Sequence, residues 1–129
     1  MPTTEQSERI AAALAQISDI SDPAWIAAGL ASAYTNDREA RERVSESHHV
    51  SEGEISSLAI GVAQHEVASS LLRAIEMGRV LTCSQLRDYL IMQAGFMVPD
   101  NGGLHGLMSQ HKTKYALDML TRLLAVSPR

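Results

Sequence analysis

One stretch, Ser51 to Gly78 (SEGEISSLAIGVAQHEVASSLLRAIEMG), limits what the chain can fold into more than any other. Ser51 followed three residues on by Glu54 is a capping box, in which each side chain satisfies an orphan amide of a first helical turn. Gly78 closes the stretch, because glycine takes the left-handed conformation that ends a helix at no steric cost. Between these signals Ile55, Leu58, Ile60, Val62, Val67, Leu71, Leu72 and Ile75, with alanines at 59, 63, 68 and 74, fall around most of a helical cylinder. A helix that is apolar on most sides needs neighbours on more than one of them. The expected fold is therefore all-α, a compact single-domain bundle of about five to six helices around a central helix 51–77, with residues 1–129 as one helical domain.

The flanks supply the neighbours. Residues 1–18 read as a helix capped by Thr3 or Thr4, with Ile10, Leu14 and Ile17 on one face. Ser21-Asp22-Pro23 is a second start, with Asp22 as cap and Pro23 in the first helical position. The helix it opens carries Trp25, Ile26, Leu30 and Tyr34 to about Thr35. Asn36-Asp37 is expected to break it, leaving the segment from Arg38 to Ser47 as a separate, charged and exposed helix. Val50 is placed to staple the start of the central helix against Ile55 or its neighbours. After Gly78, Thr82 with Gln85 is a second capping box, opening a helix that Gly95 terminates. Phe96 to Gly106 is rich in turn residues, and a last helix is expected from near Leu107 or Gln110 to Val126, with Tyr115, Leu117, Leu120 and Leu124 at helical spacing.

Composition agrees with a bundle. Apolar residues make up 45% of the chain but aromatics only 4%, so alanine, leucine and methionine carry the burial. Small side chains allow close helix packing, whereas a sandwich or barrel draws on β-branched and aromatic residues. Cys83 is the only cysteine, which excludes an intrachain disulfide and points to a reducing compartment. No apolar run reaches the length of a membrane span and no signal layout opens the chain, so the expected location is cytoplasmic, with no membrane partner. Residues 1–60 hold ten acids against four arginines, and residues 61–129 five acids against seven bases. The folded protein should then present unlike faces.

His65-Glu66 interrupts the apolar surface of the central helix and could form an acid/base pair or half of a metal site. Adjacent residues on a helix point about 100° apart, however, and neither HExxH nor ExxH occurs. A polar seam between helices is the expectation. His48, His49, His65, His105 and His111 show no zinc-ligand spacing, so neither a metal nor any cofactor is expected. Cys83, just inside a helix start, could be activated by the dipole, but a buried thiol is expected. The hexapeptide Arg43-Val-Ser-Glu-Ser-His48 fits the R-x4-H spacing of HEPN ribonucleases, which are also all-α, and resembles them over those six residues only. The resemblance implies ribonuclease roles for Arg43 and His48, although Val44 stands where those families usually place a polar residue.

Two function classes follow. The first is a small non-enzymatic protein-binding protein, an adaptor, regulator or inhibitor, acting on another protein or on its own copy as an oligomer. Its expected surfaces are the acidic segment with Asp37, Glu39, Glu42 and Glu46, and the loop-side apolar residues Phe96, Met97 and Met108. The alternative is a helix-turn-helix-like nucleic-acid-binding regulator using residues 82–114, with Lys112, Lys114 and Arg122 meeting phosphates. The sequence pI of about 5.7 weighs against that alternative.

Overall fold

Five helices form in chain order: α1 (Thr4–Leu14), α2 (Pro23–Glu46), α3 (Glu52–Glu76), α4 (Cys83–Gly95) and α5 (Gly103–Val126). The computed structural model describes residues 3–95 and 103–126, and the side chains of 3–94 and 108–126. No strand occurs among the described residues, and the fold is an all-α bundle of about five helices.

The helix ends are where the sequence marks them. Thr3 caps α1 in a complete capping box with Gln6, each side chain accepting from the other residue's backbone amide at 3.1 and 3.2 Å. Ser51 Oγ accepts from the Glu54 amide at 3.2 Å, but the Glu54 carboxylate turns instead to the Ser47 hydroxyl at 3.4 Å. Gly78 has φ of 76°, and the Arg79 and Gly78 amides donate to the carbonyls of Ala74 and Ile75, which closes α3 in a Schellman motif. At α4, Thr82 Oγ1 accepts from the Gln85 amide, and Gln85 reaches back to the amide of Leu81 at 2.7 Å. The Cys83 amide is capped from a distance by Asp19 Oδ1 at 2.7 Å, which ties the α1–α2 connection to the start of α4.

α3 is the hub. It packs against α1, α2 and α5, while α4 lies along α5 with little backbone approach to α3. Val67, Leu71, Leu72 and Ile75 of α3 meet Ile10 and Leu14 of α1, Ile26 and Leu30 of α2, Leu86 and Leu90 of α4, and Met119 and Leu123 of α5 in one core. α2 and α3 cross backbone against backbone at Gly61. A Cβ built on Gly61 would lie 2.8 Å from the Asp37 Cα and 3.1 Å from the Asn36 carbonyl oxygen. Only a residue without a side chain fits there. Two turns earlier on α2, the buried Tyr115 hydroxyl donates to the Gly29 carbonyl at 2.8 Å and pins α5 to it.

The structure differs from the sequence expectations in five places. α1 stops at Leu14, because residues 15–18 turn to let the Ser18 amide donate to the Leu81 carbonyl at 3.2 Å. Asn36-Asp37 is not a break: α2 is one helix of 24 residues. Both side chains find partners that spare the backbone, Asn36 donating to Gln64 on α3 at 2.9 Å and Asp37 accepting from Arg41 at 3.0 Å. Val50 and Ile55 are both largely exposed, so no staple seats the start of α3 in the core. α5 begins at Gly103, which puts His105 and His111 on one helix. On that helix the buried register is Ala116, Met119 and Leu123 around Tyr115, while Leu117 and Leu124 face solvent.

Candidate functional site: a cleft between the third and fourth helices

α4 lies along α5 with little backbone approach to α3, and a cleft of about 860 Å³ opens between α3 and α4. α3 lines it with His65, Glu66, Ser69, Ser70, Arg73, Ala74 and Met77, an i, i+3, i+4 progression along one face. α4 contributes Gln85, Asp88, Tyr89 and Met92, and the loop between the helices adds Arg79 and Val80. The α3 wall from His65 to Met77 is about 18 Å long at the helical rise. Met77 and Met92 stand at its rim, 58% and 47% exposed.

The polar groups of the cleft divide into engaged and unengaged sets. Glu66 is ion-paired with Lys112 on α5, and Asp88 with Arg87 at 3.5 Å. Ser69 Oγ shares a hydrogen bond with the Tyr34 hydroxyl at 3.3 Å, and the His65 ring meets the Tyr34 ring edge-on with centroids 5.0 Å apart. Arg73 and Arg79 form no ion pair among the described residues, although Arg73 contributes to holding the Glu76 carboxylate low. What the cleft leaves unsatisfied is therefore positive.

His65 and Glu66 both line the cleft but serve different neighbours, so they do not converge on one reacting atom. No hydrogen bond joins His65 to Ser69 among the described residues, and no three His, Cys, Asp or Glu side chains there are grouped to hold a metal ion. Cys83 is buried and its Sγ lies 3.4 Å from the Asp19 carbonyl. Burial, reinforced by the hydrogen-bonding and charge of the Asp19 carboxylate, pushes the thiol up to about 11, the opposite of an activated nucleophile. Burial, with the charge of Lys114, also pushes His111 below its usual value.

Arg43 and His48 are both exposed, Arg43 on the last turn of α2 and His48 beyond its end. Arg43 borders a recess of about 170 Å³ with Ser51, Glu54 and Ser57. Of the acidic set, Glu39, Glu42 and Glu46 are exposed. Asp37 is not part of that solvated face, since it is 8% exposed at the α2–α3 crossing and held by Arg41. Met108 is half-buried on α5, and Phe96 and Met97 lie outside the described residues. Of the basic set, Lys112 is paired with Glu66, and Arg122 stacks over the Trp25 ring at 4.5 Å while reaching Asp118 at 3.5 Å; Lys114 is exposed. No described helix is long and apolar enough to cross a membrane.

The cleft as a unit has no signature in the sequence. His65 and Glu66 stood out in the sequence for their polarity, but Arg73, Met77, Arg79, Tyr89 and Met92 carry no pattern that unites them before folding. No family model, no curated protein and no solved structure matches the chain.

Proposed function

We propose that the protein works without catalysis, by binding a helical segment of another protein in the α3–α4 cleft. The observation that carries this reading is the pair of solvent-exposed methionines, Met77 and Met92, on opposite walls of a cleft floored by Ala74, Val80 and Tyr89. Methionines are flexible and polarisable, and at a rim they adapt to an incoming apolar surface. An amphipathic helix laid into such a groove buries its own apolar stripe and the rim together. The wall length of three helical turns suits that occupant.

The test is a selection of displayed helical peptides, about 16 residues long, against the intact protein, followed by methyl NMR of the methionines. Selected peptides should shift the Met77 and Met92 methyl resonances, and M77K/M92K should abolish binding with unchanged helical circular dichroism. Peptides that bind tightly while leaving both methyls unmoved would refute the reading.

A further inference from the structure

We infer that the segment recognised by the cleft is an acidic amphipathic helix, whose carboxylates lie at the end of the groove marked by Arg73 and Arg79. This rests on the reading of the cleft as a helix-binding groove. The two acids of the lining are already neutralised from outside, Glu66 by Lys112 and Asp88 by Arg87, whereas neither arginine has an ion pair among the described residues. Both arginines belong to the end where α3 gives way to the loop, one turn before and one residue after the Met77-Gly78 closure of α3. Ser70 and Tyr89, farther along, have no hydrogen-bond partner among the described residues and offer hydroxyl donors. Complementary charge of this kind steers encounter and sets which way the occupant lies. The negative end of a helix dipole is its C-terminus, so the bound helix runs with its C-terminal turn, and the acids in it, toward Arg73 and Arg79.

The chain's own acidic helix face is a poor occupant. Glu39, Glu42 and Glu46 sit on a segment of α2 whose only large apolar residue is the half-buried Val44, so a second copy brings charge but nothing to cover Met77 and Met92. A partner with both an apolar stripe and acids satisfies the whole lining.

The experiment is a binding titration of the full chain with three fluorescent helical peptides that share one leucine-methionine stripe. One carries glutamates in its C-terminal turn, one carries lysines there, and one carries the glutamates in its N-terminal turn. The first is expected to bind at least about tenfold more tightly than the other two at low salt, with the advantage shrinking as salt rises. R73E/R79E is expected to invert the order of the glutamate and lysine peptides while leaving the methionine methyl shifts on binding intact. Equal affinity for all three peptides, with the methyls still shifting, overturns the acidic inference and leaves the groove standing. Binding of none of them, with dodecanoate binding instead, overturns both readings in favour of a small amphiphilic acid. Self-association that is lost in R73E/R79E overturns the partner in favour of a second copy.

Discussion

The α2–α3 crossing makes the sharpest prediction, through Gly61→Ala. In an ordinary helix interior this change stabilises, since alanine is the better helix former by about 1 kcal/mol. Here the new methyl would sit 2.8 Å from one backbone atom of α2 and 3.1 Å from two others, and none of them can rotate away. The helices must separate along their closest line of contact, and overpacking of that kind costs about 1–3 kcal/mol. A rigid obstacle belongs in the upper half of the range, so the net loss is about 1–2 kcal/mol, or about 4–8 °C in melting temperature for a chain of this size. Gly29→Ala is the internal control. Its Cβ would meet the Sδ of Met119 and the Cδ of Arg122, side-chain rather than backbone atoms, so the same substitution there should cost less than Gly61→Ala. Urea denaturation followed by circular dichroism measures both, with equal slopes required for the comparison. A Gly61→Ala protein as stable as the parent, or less affected than Gly29→Ala, would refute the claim that backbone contact sets the crossing.

Three further outcomes follow from side-chain geometry. Arg9 grips Glu76 through two hydrogen bonds at 3.0 and 2.7 Å and so holds its carboxylate below the usual range. With both groups more than a third exposed, Glu76→Gln should cost only about 0.5 kcal/mol at neutral pH. A lowered folded pKa contributes stability above the unfolded carboxylate value, so the difference between the two proteins should vanish in urea titrations as pH falls through the folded value. Cys83, pushed up to about 11 from 9.0, should be alkylated by iodoacetamide at least about a hundredfold more slowly in the native state than in urea, and stability should fall as pH rises from 9 through 11. Rapid native labelling would show the thiol to be accessible. Tyr115→Phe removes the hydrogen bond to the Gly29 carbonyl and should cost about 1 kcal/mol in the same denaturation assay, with an ultraviolet pH titration showing the native tyrosine ionising above its ordinary range.

The legible part of the fold was local. Thr3, Ser51, Gly78 and Thr82 announce helix ends by chemistry that operates within four residues, and the structure puts helix ends at each of them. The Asn36-Asp37 reading failed because it judged two side chains by their local preference for turns. Gln64 on α3 and Arg41 one turn away satisfied them, and a helix resulted where a break was expected. The same limit explains Leu117 and Leu124. Their spacing is helical, but which stripe of α5 turns inward depends on where α3 and α4 stand, and the neighbouring stripe with Met119 and Leu123 was chosen. Periodicity identifies a helix more readily than it identifies the helix's inner face.

The cleft was illegible for a related reason: it depends on α4 lying along α5 with little backbone approach to α3. Thr113 Oγ1, within 3.4 Å of the Ala94 carbonyl, ties α4 to α5, and Leu86 and Leu90 share one core with Met119 and Leu123 of α5 and Leu71 and Leu72 of α3. The Asp19 cap on Cys83 fixes the near end of α4 from a third direction. Residues Met77 and Met92 are then exposed not by their own chemistry but by the anchoring of side chains on the opposite face of α4. It follows that the cleft should be altered by perturbing contacts it does not contain. Weakening the α4–α5 seam by Leu90→Ala, which removes a fully buried side chain at a cost of about 2–5 kcal/mol, should loosen α4 and change peptide affinity at the cleft, although Leu90 does not line it. If affinity stayed constant in that variant while stability fell, the groove would be set by α3 alone, and the account of why it stands open would be wrong.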